Sequence, residues 1–277
     1  PPLREAIAAK TLRDSGWDVT PAQVVVTNGG KQSVYQAFQT VVNPGDEVLL
    51  PAPYWTTYPE AIKLADGVPV EVFAGADQEY KVTVAQLEAA RTERTTNLVF
   101  VSPSNPTGAV YAPDEVRAIG EWALEHGIWV IADEIYQNLV YDGVRAVSII
   151  EAVPALAEQV ILVNGVAKTY AMTGWRVGWM VGPARAITLA ANLQSHLSSN
   201  VNNVAQRGAL AALTGSQVEA EGFRDAFDRR RRLIIAELSK IPGVTVPTPE
   251  GAFYVYPDVQ GLLGRTWGGV TPTTSLE

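Results

Sequence analysis

The chain has 277 residues, of which 47% are hydrophobic and 18% charged, and its formal net charge is −8. That length can bury one sizeable core, or one large domain with part of a second, and the composition is too apolar for a disordered chain. The acidic balance argues against a nucleic-acid partner, and the longest apolar runs fall well short of the ~20 residues that a membrane helix needs.

Residue types that are missing or rare narrow the possible chemistry. The sequence has no cysteine, which excludes a disulfide framework and a thiolate nucleophile. Its two histidines, His126 and His196, are too few for a His-rich metal site. No basic, apolar leader opens the sequence, so a cytoplasmic location is expected.

Short apolar runs recur between longer amphipathic stretches. Most of these runs are continuous rather than alternating, as in strands that are covered on both faces. The predicted strands are Val24–Thr27, Glu47–Leu50, Val68–Val72, Asn97–Ser102, Ile128–Ala132, Val160–Asn164 and Val177–Val181.

The stretches between these strands predict helices. They are Lys31–Val42, Thr57–Leu64, Thr83–Arg91 and Pro113–His126. Strands that alternate with helices predict an α/β fold, here a seven-stranded, mostly parallel sheet with helices on both faces. The last two strands are joined by too little chain for a crossover helix, so Val177–Val181 is expected to run antiparallel.

After Gly182 the pattern is helical through Ala212, and again from Val218 to about Leu238. Four consecutive arginines, residues 229–232, lie inside the second of these stretches. They are compatible with an anion site or a nuclear-import signal. Because acidic residues surround them, we interpret them as a solvated helix face.

From Pro242 onward the chain changes character. Proline and glycine surround two apolar runs, Val244–Val246 and Ala252–Tyr256, which is typical of the start of a smaller α+β domain. We therefore expect a large domain over residues 1–215. Residues 216–277 are expected to form a connecting helix and part of a small C-terminal domain.

Polar residues follow several of the predicted strands, at the edge where open α/β sheets bind ligands. Thr27–Gln32 joins a strand to a helix through Gly29 and Gly30, and its backbone N–H groups suit a phosphate, although a plain tight turn explains this segment equally well. After the fourth strand, a loop with two prolines holds Asn105, whose amide can donate to an anionic oxygen, although Asn-Pro turns are common.

The fifth strand ends in Asp133, and Tyr136 follows three residues later. A carboxylate that leaves an apolar strand should be largely buried, and it then needs a cationic or N–H partner. A metal-binding aspartate is the rival interpretation, but no suitable second and third ligands are evident nearby, so no metal site is predicted.

A lysine and an arginine flank the last two strands. Lys168 lies just beyond the sixth strand and Arg176 just before the seventh. A desolvated lysine can act as a nucleophile or proton shuttle, and arginine can grip a phosphate, although each residue alone is more simply a surface lysine or a structural ion pair. Taken together, the residues at the strand ends match the needs of pyridoxal phosphate.

These segments resemble the class I, fold-type-I, pyridoxal-phosphate-dependent aminotransferases, and most closely the bacterial aspartate aminotransferases. The matching motifs occur in the family's order and cover nearly the whole chain. They are Gly29–Gln32, Pro53–Trp55, Ser104–Gly108, Asp133–Tyr136 and Lys168–Gly178.

The resemblance implies a role for each residue in the cofactor site. Lys168 forms the Schiff base with the cofactor and moves the substrate's proton, and Asp133 keeps the pyridine nitrogen protonated. Tyr136 and Asn105 hydrogen-bond the phenolic oxygen, and Trp55 stacks on the ring. The phosphate is held by Arg176 and by the backbone N–H groups of Gly30 and Lys31.

The resemblance also implies the substrates and the assembly. Lys31 faces a distal carboxylate, and Trp55 and Asn105 also belong to the substrate site. Aspartate or glutamate, with 2-oxoglutarate or oxaloacetate as acceptor, is therefore expected, in a homodimer.

Departures from the family pattern leave alternatives open. Gly165 and Ala167 replace serines found around the lysine in the better-known subgroup, so at least one phosphate hydrogen bond is missing. Segments that the family has at both ends, including the arginine for the α-carboxylate, are expected to be absent. An aromatic or prephenate aminotransferase, a β-lyase, an aminotransferase-like regulatory domain and an inactive fragment remain as alternatives.

Overall fold

The computed structural model describes residues 2–266 and 268–274, and one seven-stranded sheet forms its centre. The strands lie in the order β1-β7-β6-β5-β4-β2-β3. In chain order they are β1 (Val24–Thr27), β2 (Glu47–Ala52), β3 (Val68–Phe73), β4 (Thr95–Val101), β5 (Trp129–Asp133), β6 (Val160–Gly165) and β7 (Gly178–Val181).

The directions of the strands confirm the predicted sheet. Strands β2 to β6 pair in parallel, whereas β7 runs antiparallel to both of its neighbours, β1 and β6. The short link between β6 and β7 leaves no room for a crossover helix, as the sequence indicated. The carboxyl ends of the parallel strands therefore gather at one edge of the sheet.

Helices cover both faces of the sheet. They are α1 (Pro2–Ser15), α2 (Gly30–Val41), α3 (Thr57–Lys63), α4 (Val84–Ala90), α5 (Pro113–Glu125), α6 (Ile149–Ala152), α7 (Ala184–Leu197), α8 (Asn203–Thr214) and α9 (Val218–Leu238). One apolar cluster joins the sheet to α1, α5 and α8, and a second joins it to α2, α3 and α7. Successive strand residues alternate between the clusters, as Val24 and Val25 do, because neighbouring side chains on a strand point to opposite faces.

The first helix was not predicted. Helix α1 buries three polar residues, Lys10, Thr11 and Ser15, on the face that also carries Leu3 and Ile7. These polar residues interrupt the apolar stripe by which an amphipathic helix is read from sequence.

The interpretation of the four arginines as a solvated face is wrong for Arg231. This side chain is buried, pairs with Asp142 and Asp228, and donates to the carbonyl oxygen of Pro249 at 2.8 Å. Its guanidinium also lies 4.6 Å from the centroid of the Tyr141 ring. Arg231 therefore fixes α9 to the loop that follows β5, whereas its neighbour Arg232 is exposed.

The segment after α9 is mostly irregular. Thr245 forms an isolated bridge with Asp258, and Gly251 forms one with Val140. Residues 252–256 run without regular secondary structure past the carboxyl edge of the sheet. Within residues 2–266 and 268–274, no helix is both long and apolar enough to cross a bilayer.

Candidate cofactor site

A cavity of about 270 Å³ opens at the carboxyl edge of the sheet. Segments at the ends of five different strands, β1, β2, β4, β5 and β6, contribute to its lining, so residues that are far apart in the sequence meet there. The structure brings all of the predicted site residues to this one cavity, and they are Gly30, Lys31, Trp55, Asn105, Asp133, Tyr136, Lys168 and Arg176.

One end of the cavity is built to hold an anion. Helix α2 begins there at Gly30, and the first N–H groups of a helix have no partner within the helix. The guanidinium of Arg176 lies beside this turn and donates to the carbonyl oxygens of Thr173 at 3.1 Å and Asn28 at 3.3 Å. Positive charge and free N–H donors therefore converge at one point.

Two glycines permit the close packing around this turn. Gly29 has a φ of +90°, and a Cβ atom there would lie 2.5 Å from Nη2 of Arg176. On the neighbouring strand, a Cβ atom on Gly178 would lie 2.5 Å from the backbone nitrogen of Gly30. The close approach of Arg176 and β7 to the start of α2 thus depends on glycines.

Asp133 lies at the inner end of the cavity and is only 5% exposed. Its carboxylate accepts hydrogen bonds from the Tyr58 hydroxyl at 2.8 Å and from the Ile135 N–H at 3.1 Å. Burial raises the pKa of Asp133, and these two bonds together with the charge of Lys168 oppose that rise. A cationic partner in the cavity would favour the charged form.

Lys168 places a half-buried amine in the cavity near Asp133. Burial lowers its pKa, Asp133 raises it and Arg176 lowers it further. Its Nζ atom lies 5.6 Å from the ring centroid of Tyr136 and 5.0 Å from that of Phe253. A lysine in such surroundings loses its proton more readily and is a better nucleophile and base.

Trp55 and Lys31 lie together in the cavity wall. The Nζ atom of the exposed Lys31 is 5.1 Å from the Trp55 ring centroid, and the Trp55 ring meets Tyr58 edge to face. Lys31 thus has its backbone in the anion-binding turn and its charged group on an aromatic wall.

Two tyrosines of the site were missed by sequence analysis. Tyr58 holds Asp133, and the Tyr254 hydroxyl lies 2.7 Å from that of Tyr136. Tyr58 carries no local signal, because it lies in an ordinary helix far from β5 in sequence. Tyr254 belongs to an aromatic run that was interpreted only as part of a small domain.

The lining residues fit pyridoxal phosphate. Three cationic side chains, Lys31, Lys168 and Arg176, face one carboxylate, Asp133, which suits an anionic ligand. The anion-binding turn matches a phosphate, and a protonated ring nitrogen would stabilise the buried carboxylate of Asp133. The amine with a lowered pKa matches the cofactor's aldehyde.

Comparison with known proteins places the chain in a family. The family model for aminotransferase class I and II matches residues 1–267, and the chain belongs to this family. Aspartate aminotransferase of Streptomyces avermitilis is 58% identical over 277 residues, which are 100% of this chain and 68% of that protein. Aspartate/prephenate aminotransferase of Cereibacter sphaeroides is 45% identical over 100% of this chain and 70% of its own length.

Solved structures agree with this assignment. Aspartate aminotransferase from Rhizobium meliloti superposes with a TM-score of 0.93 at 38% identity, over 95% of this chain and 66% of that one. Aspartate aminotransferase from Thermus thermophilus with maleate gives 0.89 at 40% identity, over 93% and 67%. The chain therefore has the fold of an aspartate aminotransferase and spans about two thirds of the length of these relatives.

Proposed function

We propose that this protein transfers the amino group of aspartate or glutamate to 2-oxoglutarate or oxaloacetate with the help of pyridoxal phosphate. One observation carries the proposal. Asp133, the last residue of β5, and Lys168, which follows the neighbouring strand β6, line the same cavity as the glycine turn and Arg176. An amine, a buried carboxylate and an anion-binding end are the groups that this cofactor needs.

Each lining residue has a task in holding the cofactor. The first turn of α2 at Gly30 and Lys31, together with Arg176, would bind the phosphate. Asp133 would pair with the ring nitrogen, since burial makes this carboxylate costly to leave unpaired. Three further residues would contact the ring and its phenolic oxygen, and they are Trp55, Asn105 and Tyr136.

When bound, pyridoxal phosphate supplies an aldehyde that an amine can hold covalently and a ring that accepts electrons from the substrate's α-carbon. Lys168 is the cavity's base for the proton at that carbon, because burial and Arg176 keep its pKa low. Tyr136 stays protonated as a donor, since burial raises its pKa.

The preference for acidic substrates rests on Lys31. Its ammonium lies at the cavity on the Trp55 ring, where it can meet a distal carboxylate. The relatives named aspartate aminotransferase and the Thermus thermophilus structure with maleate, a dicarboxylate, support this choice.

The domain division, the homodimer and the cytoplasmic location are also proposals. The division at residue 215 is supported by α9, a long helix of which Arg231 is the buried residue, while the seven strands all precede it. Light scattering of the purified protein tests the homodimer, and cell fractionation tests the location.

Absorbance spectroscopy tests the proposed function. Protein loaded with pyridoxal phosphate should show a visible band that changes when aspartate is added, and oxaloacetate should form. Borohydride reduction before peptide mapping should attach the cofactor to Lys168. A protein that binds no cofactor, or a band that no amino acid changes, would contradict the proposal.

A further inference from the structure

The two hydroxyl groups of Tyr136 and Tyr254 form a pair at the cavity wall. Their oxygens are 2.7 Å apart, and their rings meet edge to face with centroids 5.7 Å apart. Tyr136 is buried and Tyr254 half-buried, and both residues line the cavity of Lys168. The contact joins the turn after β5 to the segment after α9.

Backbone hydrogen bonds hold both tyrosines on one framework. The Ala252 N–H donates to the carbonyl oxygen of Leu139 at 2.8 Å, and the Tyr141 N–H donates to that of Glu250 at 3.0 Å. The Tyr141 hydroxyl also donates to the Ala252 carbonyl. The segment that carries Tyr254 is therefore fixed to the turn that carries Tyr136, so the backbone holds the two tyrosines close together.

A hydroxyl has one proton to donate, so the pair can be arranged in two ways. If the Tyr136 hydroxyl donates its hydrogen bond to Tyr254, it cannot also donate to an acceptor in the cavity. If Tyr254 donates to the Tyr136 oxygen instead, the O–H of Tyr136 is free to point into the cavity. A hydrogen-bond acceptor placed beside Tyr136 selects the second arrangement.

We propose that Tyr254 is a positioning residue that donates a hydrogen bond to the Tyr136 oxygen, so that the Tyr136 hydroxyl donates its own hydrogen bond to the phenolic oxygen of the cofactor. This inference rests on the proposed function, because that function supplies the acceptor. Donation by Tyr254 also polarises the Tyr136 hydroxyl and strengthens the bond that Tyr136 makes.

The charged and titratable groups around the pair keep Tyr136 in its protonated form. Asp133 and Lys168 approach Tyr136 from β5 and from the segment after β6, and Tyr58 approaches from α3. Burial, the hydrogen bond with Tyr254 and the charge of Asp133 all raise the pKa of Tyr136. Tyr136 therefore keeps its proton and can donate it to an acceptor in the cavity.

The test is the pH titration of the visible absorbance band in protein loaded with pyridoxal phosphate. A hydrogen bond donated to the phenolic oxygen stabilises its negative charge. That charge then does less to raise the pKa of the nitrogen that links Lys168 to the cofactor. Tyr254→Phe should therefore raise the midpoint pH of the titration by about 0.5 unit. Tyr136→Phe should raise it further in the same direction.

Tyr256→Phe is the matched control, because Tyr256 lies two residues along the same segment and does not line the cavity. It should leave the midpoint unchanged. Thermal unfolding of each protein without cofactor separates a packing role from a positioning role. The inference is overturned if Tyr254→Phe lowers the unfolding temperature without moving the midpoint. It is also overturned if Tyr254→Phe lowers the midpoint.

The two proposals fail in different ways. A wild-type protein that forms no band contradicts the proposed function and this inference with it. A normal wild-type band with an unshifted Tyr254→Phe titration overturns the role of Tyr254 alone.

Discussion

Two neighbouring carboxyl groups at the end of β5 lie in two different environments. Asp133 and Glu134 are both buried, burial raises the pKa of both, and each interacts with a lysine. Asp133 interacts with Lys168, whereas Glu134 interacts with Lys10 of α1. By burial and charge the two sides are alike.

The difference between the two sides is open space. Asp133 lines the 270 Å³ cavity, whose other charged residues are all cationic. Glu134 accepts a hydrogen bond from Ser148 at 2.6 Å, and Lys10 is bound to Asp14. A buried carboxyl–lysine pair is therefore not in itself a functional site; a cavity lined by more positive than negative charge is what sets the Asp133 side apart.

The largest expected difference between the Asp133 and Glu134 sides comes from replacing their lysines, Lys168 and Lys10, by alanine. Lys168→Ala should abolish both the visible cofactor band and transamination, because no other amine lines the inner part of the cavity beside Asp133. Lys10→Ala should keep the band and lower the unfolding temperature, since it removes the cation that Glu134 and Asp14 share. Wild-type turnover in Lys168→Ala, measured by a coupled assay, would contradict the mechanism.

Asp133→Ala is expected to have the next largest effect. The variant should retain some cofactor through Arg176 and the start of α2, but its turnover should fall by orders of magnitude because the ring nitrogen loses its partner. Cofactor affinity and turnover are measured separately, by fluorescence titration and by product formation. A loss confined to affinity would show that Asp133 only binds the cofactor.

Most of the fold could be predicted from the sequence for physical reasons, whereas a residue such as Trp55 entered the proposed site only through the resemblance to a family. Continuous apolar runs mark strands that are covered on both faces, and the motifs after them carry the site residues. Residues that act through distant contacts leave no such local signal. Tyr254 contacts Tyr136, which lies 118 positions earlier in the sequence. Arg231 pairs with Asp142, which lies in the loop after β5 and far from α9 in the sequence.

Lys31→Ala tests the outer part of the cavity. Loss of one charge-assisted hydrogen bond, about 1.5–3 kcal/mol, should lower kcat/KM for aspartate roughly ten- to a hundred-fold. Activity toward alanine or phenylalanine should be retained, because these substrates have no distal carboxylate. Equal losses on all substrates would show that the Lys31 side chain serves the phosphate instead.

Glu134→Gln tests the closed side and should have the smallest effect on activity. Burial raises the pKa of Glu134 from 4.5 to about 7. The folded protein thus holds this proton more tightly than the unfolded chain does. The stability that comes from the neutral carboxyl is fully present below pH 4.5 and is lost as the pH rises toward 7.

Glutamine is neutral at every pH and can still accept the hydrogen bond from Ser148. Relative to wild type, the variant should therefore gain about 1–3 kcal/mol of unfolding free energy between pH 5 and pH 8, less whatever attraction to Lys10 is lost. Urea unfolding of the cofactor-free proteins at both pH values measures the difference, and the cofactor band should be unchanged. A variant that loses stability at pH 8 would show instead that Glu134 is charged there, and that its ion pair with Lys10 offsets the cost of burying both groups.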